Sequence, residues 1–159
     1  MEHTATIRTA TPDDIDEILP IWSEFMAFHR QFDPHFPTPE GAEQTFAAFI
    51  GENIAAAEWT VLVAEVEGRV VGYHMGTIAT YPPVFASTRF GNIFDLAVTR
   101  DHRCRGIGTK LSKTLIEWFA RNGIQRIEVR YAWKNPVSTA FWLARGFEPF
   151  MVTAVTNIT

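Results

Sequence analysis

Residues 90–131 constrain the fold most, because a strand, a glycine-containing loop, a helix and a second strand follow one another there. Residues 90–98 are apolar and β-prone, and the loop Arg-Cys-Arg-Gly-Ile-Gly follows at 103–108. Apolar residues then recur at helical spacing over 107–119, and residues 125–131 alternate in polarity. Two strands joined by such a crossover run parallel. The segment therefore predicts a parallel βαβ unit.

The rest of the chain adds strands and helices around this unit. Apolar stripes and proline-preceded caps predict helices beginning near Pro12, Pro39 and Asn135. β-prone runs predict strands at 4–9, 60–66, 69–80 and 150–155, with a tight turn at Glu67-Gly68. At 159 residues the chain has the size of one domain, so residues 1–159 are interpreted as a single unit.

Composition narrows the class of protein. Hydrophobic residues make up 47% of the chain and the net charge is -4, without a long basic run, which disfavours nucleic acid as a partner. No apolar stretch is long enough for a membrane span, and the single Cys104 fits a reducing compartment, so a cytoplasmic protein is expected. The five histidines form no i, i+4 pair, and no metal is expected.

The loop at 103–108 has the features of an anion site. Free backbone N–H groups and the positive dipole end of a helix attract phosphate. Gly106 and Gly108 let the backbone approach such a group closely, and Arg103 and Arg105 add positive charge. Leu111 stands where a dinucleotide fingerprint needs a small residue, and no Walker-type string is present. A different phosphate-containing ligand is therefore indicated.

Two motifs carry a family resemblance. Residues 98–108 are similar to the acetyl-CoA-binding motif of the Gcn5-related N-acetyltransferase (GNAT) family. A later block, Asn135, Phe141, Gly146 and Phe147, matches the family's Asn-to-Gly-Phe motif at its usual spacing. Together with the order of elements, the resemblance covers nearly the whole chain. It implies a mixed α/β fold: a mostly antiparallel sheet of six to seven strands with one splayed parallel pair, flanked by about four helices.

The resemblance also implies a binding mode for acetyl-CoA. Backbone groups of Leu96, Ala97 and Val98 would bond the pantetheine arm as an added strand does. The pyrophosphate would lie on the loop formed by Arg103, Cys104, Arg105, Gly106, Ile107, Gly108 and Thr109. Asn135 would reach the pantetheine, although its role as a helix cap is sufficient to explain the residue.

The catalytic groups of the family are only partly present in this sequence. The family commonly places a tyrosine acid on the last helix, where this chain has Trp142. A primary amine with a pKa of ~10.4 needs ~4.6 kcal/mol for deprotonation at neutral pH, so a base matters more than an acid. Asp95 is the candidate base, with a structural role as the alternative. Strict alternation would turn Asp95 to the face opposite Asn92 and Phe94. By resemblance, Phe32 and Tyr81 are candidates for acceptor binding.

The function expected from this resemblance is direct transfer of an acetyl group from acetyl-CoA to a primary amine in a ternary complex. The acceptor is a small molecule or a protein or peptide amine. A non-catalytic acyl-CoA-binding or regulatory module, or transfer of a longer acyl group or to a hydroxyl, remains an alternative. The oligomeric state stays open, a homodimer included.

Overall fold

The computed structural model describes residues 4–32, 38–156 and 158. Its strands are β1 (Thr6–Thr9), β2 (Trp59–Val66), β3 (Arg69–Thr80), β4 (Arg89–Val98) and β5 (Ile127–Val129). Its α-helices are α1 (Ile15–His29), α2 (Ala42–Ala55), α3 (Ile107–Arg121) and α4 (Pro136–Leu143). Short 3-10 turns lie at Pro12–Asp14 and Arg100–His102. The mixed α/β class and the four helices expected from the sequence are confirmed.

The five strands form one sheet in the order in which they occur along the chain. β1 to β4 pair as antiparallel neighbours, and β4 and β5 are the one parallel pair. Helix α3 connects these two strands, as the crossover pattern predicts. The parallel ladder is short, because it runs only from Gly91↔Ile127 to Ile93↔Val129.

Each face of the sheet has its own core. On one face, α1 and α2 bury Ile18, Trp22, Phe46 and Ile50 against Tyr73 and Met75 of β3. On the other face, α3 and α4 bury Leu111, Leu115, Phe119 and Trp142 against Ile78 and Ile93. Helix α3 lies very close to the sheet: a Cβ added at Gly91 would stand 2.8 Å from Phe119 Cδ1. The absence of a side chain at this position allows that approach.

The prediction of six to seven strands is slightly wrong. The expected strand at 150–155 does not form among the described residues, and its side chains are exposed, Phe150 at 72% and Val152 at 94%. β-prone residues need a neighbouring strand, and this segment has none in the sheet. The predicted strand at 125–131 is observed only over β5, because the pairing between β4 and β5 ends at Ile93.

Candidate active site

A β-bulge in β4 lies where the sheet opens into a gap between β4 and β5. His74 of β3 stands opposite Leu96, but the next paired positions are Gly76 and Ile93. Phe94 and Asp95 therefore occupy the space of one residue on the partner strand. The parallel pairing with β5 also ends at Ile93. Beyond the bulge, the edge of β4 that faces β5 has no strand partner among the described residues.

The backbone groups along this edge alternate in direction. The Ala97 carbonyl lies toward β3, 2.9 Å from a Cβ built on Gly72, and the Thr99 amide donates to Val71 of β3 at 2.9 Å. Because successive residues of a strand direct their polar groups to opposite edges, Leu96 and Val98 face the gap. The prediction for Ala97 needs correction, since its backbone is directed to β3.

The loop before α3 has the geometry of an anion site. Cys104 and Gly106 have φ angles of 59° and 78°, and Gly106 is the residue that precedes α3. The Lys110 amide bonds the Gly106 carbonyl at 3.0 Å, so the amides of residues 106–109 have no carbonyl partner within the helix. A Cβ at Gly106 would meet no atom within 4 Å. The space beyond these amides is open to a ligand.

Gly108 serves a different purpose from the one its motif suggests. A Cβ at Gly108 would lie 3.4 Å from Phe141 Cε2 and 4.0 Å from Leu96 Cδ2. Its missing side chain therefore lets α4 pack against the start of α3 and β4. Only its amide, not its lack of a Cβ, is directed to the anion site.

Arg103 is turned toward α1 in this structure. Its guanidinium pairs with Glu24 at 2.6 Å, its Nε donates to the Val98 carbonyl at 2.8 Å, and it lies over the ring of Phe28. Arg105 and Cys104 are exposed in the loop. Arg103 thus fastens the loop to α1 and to the end of β4.

Sequence reasoning missed Arg145, which follows α4. Its guanidinium donates to the Thr109 hydroxyl and to the Phe141 carbonyl, the latter at 2.7 Å, and it stacks on the Phe141 ring. Burial lowers the pKa of Arg145. Its Nε is buried without a hydrogen-bond partner, and no carboxylate of the described part of the chain pairs with it. A cation thus lies at the N-terminal end of α3, where an anion would neutralise it.

Asn135 acts as the cap of α4. Its Oδ1 accepts from the amides of Val137 at 3.1 Å and Ser138 at 3.3 Å, and its Nδ2 donates to the Ser138 hydroxyl at 3.0 Å. The side chain is almost fully buried. The capping role is confirmed, and a contact with cofactor stays a prediction.

Asp95 lies on the face of the sheet that α1 and α2 cover. Tyr73 Oη donates to Asp95 Oδ2 at 2.9 Å, and the ring of the neighbouring Phe94 lies 4.8 Å from that of Trp59. The bulge puts Phe94 and Asp95 on the same face, so the expectation from strict alternation is wrong. Burial raises the pKa of Asp95, while the Tyr73 hydrogen bond and then the charge of His29 lower it.

His74 was also missed, because on sequence alone it is one residue within an apolar strand. It is fully buried, its Nδ1 lies 2.6 Å from the Asp95 carbonyl oxygen, and its Nε2 has no partner among the described residues. Burial lowers the pKa of His74 to about 4, so the ring is neutral near pH 7. Its ring centroid lies 6.2 Å from that of Trp142.

Trp142 is buried where the family's tyrosine acid is expected. Its ring packs against Phe141 at 5.0 Å and Phe147 at 5.1 Å, between centroids. These contacts, together with His74, surround it with aromatic side chains. The position therefore holds an apolar wall and offers no acid.

The two candidate acceptor-binding residues lie in different places. Phe32 follows α1, where its ring contacts that of Phe28 at 5.1 Å. Tyr81 follows β3, stacks on Phe90 at 4.2 Å, and shares hydrogen bonds with Glu128 and Arg126. Phe90 precedes Asp95 by five positions along β4, which corresponds to about 15 Å. The structure does not gather Tyr81 with Asp95.

Within the ranges that the structure describes, no cluster of three or more His, Cys, Asp or Glu side chains could hold a metal ion. Across the same ranges, no helix is long and apolar enough to cross a membrane.

The structure is thus a mixed α/β domain in which a gap beside one parallel strand pair adjoins the N-terminal end of a helix. Residues 20–147 match the sequence profile of the Acetyltransferase (GNAT) family. The chain belongs to that family.

Two curated relatives are similar in sequence. An uncharacterized N-acetyltransferase of Methanocaldococcus jannaschii is 28% identical over 91% of this chain and 61% of its own length. The L-2,4-diaminobutyric acid acetyltransferase of Nocardia farcinica is 35% identical over 54% of this chain and 42% of its own length. The chain thus spans about three fifths of the first relative and less than half of the second.

Solved structures share the fold. A Bacillus halodurans protein superimposes with a TM-score of 0.88 at 20% identity, covering 97% of this chain and 99% of its own. The acetyl-CoA complex of a predicted acetyltransferase from Clostridium acetobutylicum has a TM-score of 0.77 at 16% identity, covering 97% and 96%. At these identities the likeness concerns the fold.

Proposed function

We propose that this chain transfers an acetyl group from acetyl-CoA directly to a primary amine in a ternary complex. The observation that carries the proposal is the free edge of β4, which begins at the bulge and leads to the unpaired amides before α3. Family membership and the acetyl-CoA bound by a structural neighbour support the identity of the donor.

The gap and the loop suit the two ends of acetyl-CoA. Backbone groups of Leu96 and Val98 would bond the pantetheine amides, as an edge strand bonds an added strand. The amides of residues 106–109 would hold the pyrophosphate, together with the positive charges of Arg105 and Arg145. Binding of the phosphates would also remove the unfavourable placement of Arg145 beside the positive end of α3.

Asp95 is the group suited to activate the amine. As a carboxylate it would take a proton from the ammonium form, and its raised pKa makes it a stronger base than an exposed aspartate. The free amine would then attack the thioester carbonyl, whose oxygen a β4 amide facing the gap would stabilise. The new C–N bond forms and the C–S bond breaks. The thiolate leaves with the electron pair, and the second proton of the amine nitrogen passes through water to the thiolate, so that an amide and a thiol result while Asp95 holds the first proton.

The acceptor would approach from the side of α1, where Phe94 and Asp95 both face. His29 ends α1, and Phe32 follows it in the next turn. A carboxylate among aromatic rings suits a cationic amine. The activity of the Nocardia farcinica relative on diaminobutyric acid, as its name states, makes a small diamine a reasonable first acceptor to test.

The buried Trp142 favours a second candidate function. A domain without a general acid could bind acyl-CoA as a sensor and transfer nothing. Such a module would be stabilised by acetyl-CoA in the same way, but it would release no thiol.

Thermal denaturation with acetyl-CoA, followed by thiol release with a panel of amines, tests the proposal. A ligand at ~100 times its dissociation constant adds about 2.7 kcal/mol to the free energy of unfolding, which is a clear shift of the melting temperature. Asp95→Asn should bind acetyl-CoA like the parent and lose at least about tenfold in turnover. Asp16→Asn, at an exposed carboxylate of α1, is the matched control. A stabilised protein that releases no thiol would instead support the sensor function.

A further inference from the structure

Two consecutive residues of β3 hold Asp95 from opposite faces of the sheet. Tyr73 donates its hydroxyl to the Asp95 carboxylate at 2.9 Å, on the α1 and α2 side. His74, on the side of Trp142, is bonded through Nδ1 to the Asp95 carbonyl oxygen at 2.6 Å. Both β3 side chains are fully buried. One residue of β4 is thus bonded through its side chain and its backbone at once.

The bond from His74 meets a need that the bulge creates. A bulged residue is left without its regular ladder bond, and a buried carbonyl without a donor is costly. A carbonyl oxygen only accepts, so the Nδ1 of the neutral His74 ring must carry the proton. The remaining Nε2 is then a buried acceptor without a described partner. The Nδ1 donor is the only hydrogen bond that this buried ring makes within the described structure, which identifies it as the ring's polar function.

We propose that Tyr73 and His74 are positioning residues that hold the β4 bulge at Asp95, a role that rests on the proposed acetyl transfer. The bulge directs Asp95 to the acceptor side and frees the β4 edge next to the gap. A regular ladder would instead shift the register by one residue and turn the side chains after Ile93 to the opposite faces. Loss of the His74 hydrogen bond would therefore displace both the Asp95 carboxylate and the free edge of β4.

A matched pair of amide substitutions separates the Nδ1 bond from the general role of a buried polar ring. In His74→Asn the amide nitrogen takes nearly the place of Nδ1 and continues to donate to Asp95. In His74→Gln it takes nearly the place of Nε2 and does not. Both variants lose the packing of the imidazole, so both should melt at a lower temperature than the parent.

Turnover should distinguish the two variants. A displaced reacting group costs on the order of 10²-fold, so His74→Gln should lose about 10- to 100-fold in kcat, whereas His74→Asn should stay within about threefold of the parent. Equal kcat values for the two folded variants would overturn the proposal, because a purely structural ring gives no reason for a difference.

Tyr73→Phe tests the other half of the pair through the pH profile. The Tyr73 hydrogen bond lowers the pKa of Asp95, so its removal raises that pKa and moves the acidic limb of kcat/KM to higher pH. Thr77→Val, which removes another buried β3 hydroxyl but one bonded to the Glu58 carbonyl, should leave the limb unchanged. An unmoved limb in Tyr73→Phe would show that this tyrosine does not position the carboxylate.

Backbone NMR provides a measurement that does not depend on activity. The Asp95 carbonyl and the amides of residues 94–98 should shift strongly in His74→Gln and little in His74→Asn. Similar shifts in the two variants would overturn the bulge role even if the parent is active. A parent that releases no thiol would refute the proposed function, and the NMR comparison would still decide the role of His74.

Discussion

Acidification should destabilise this protein through the buried ring of His74. Burial lowers the pKa of this imidazole from 6.5 to about 4 in the folded chain, whereas unfolding returns it to water. Between these pH values the unfolded state binds a proton that the folded state excludes, so the free energy of unfolding falls as the pH falls. At 1.36 kcal/mol for each pH unit, the loss reaches about 3 kcal/mol by pH 4, and about 2 kcal/mol of it occurs between pH 7 and pH 5.

Two carboxyl groups titrate in other ways. The hydrogen bonds from Arg8 lower the pKa of Asp14 to about 2, so the stability that Asp14 contributes is lost only below about pH 4. Burial raises the pKa of Asp95, which adds stability as the pH falls. Both groups are retained in His74→Asn. The difference between this variant and the parent therefore isolates the imidazole.

Urea unfolding followed by tryptophan fluorescence measures this difference. From pH 7 to pH 5, the parent should lose about 2 kcal/mol more of its free energy of unfolding than His74→Asn. The variant is expected to be less stable at pH 7, so the test concerns the change with pH and not the starting value. Parallel pH dependences for the two proteins would refute a neutral, buried His74.

Three substitutions, with Gly123→Ala as a control, test the binding of the cofactor and the departure of its thiolate. Gly106→Ala and Gly123→Ala place a Cβ in open space at a similar left-handed φ, 78° and 75°, so both should lower the melting temperature. Only Gly106→Ala should weaken acetyl-CoA binding. Equal affinities of the two variants for acetyl-CoA would show that the loop is misassigned. Arg145→Ala should lose about tenfold in affinity for acetyl-CoA and little in affinity for S-acetylpantetheine, which lacks the pyrophosphate. Equal losses of affinity for the two ligands would show that the role of Arg145 is structural. Trp142→Tyr should raise turnover by less than about tenfold, and a gain of about 10²-fold would show that the natural chain lacks a needed acid.

Local features of the sequence predicted the parallel βαβ unit and the loop before α3. Apolar residues such as Leu111 and Leu115 recur at a spacing that only a helix places on one face, and both are buried. Gly106 follows a strand and precedes that helix, and its left-handed φ of 78° is the conformation that glycine favours. These signals lie within a few residues of the structure they specify.

The geometry around Asp95 could not be predicted in this way. Alternation assumes a regular strand, and nothing within residues 89–98 marks where β4 inserts an extra residue. The partners of Asp95 come from β3, and the position of Tyr73 and His74 beside the bulge depends on the register between two strands. Register is a property of the pair, so a buried histidine in an apolar strand gave no signal of its role.

The segment at 150–155 failed for a related reason. Its β-prone side chains predict a strand, but a strand forms only where an edge with free hydrogen-bonding groups accepts it. Arg126, next to β5, lies 4.4 Å from the Phe150 ring, so the segment passes near that edge without pairing to it among the described residues. Propensity specifies the kind of element, and the ladder decides whether it forms.

The proposed reaction makes unequal demands on the two sides of the site, and the structure matches that inequality. An amine with a pKa of ~10.4 needs ~4.6 kcal/mol to lose its proton at neutral pH, whereas a thiol with a pKa of ~8.5 leaves as its anion at a cost of only ~2 kcal/mol. Asp95, on the amine side, is held by hydrogen bonds from the buried Tyr73 and His74. Trp142, where the acid would be, packs among aromatic rings and apolar core side chains. The hydrogen-bonded polar groups therefore lie on the amine side, where the cost of proton removal is higher than the cost of thiolate departure.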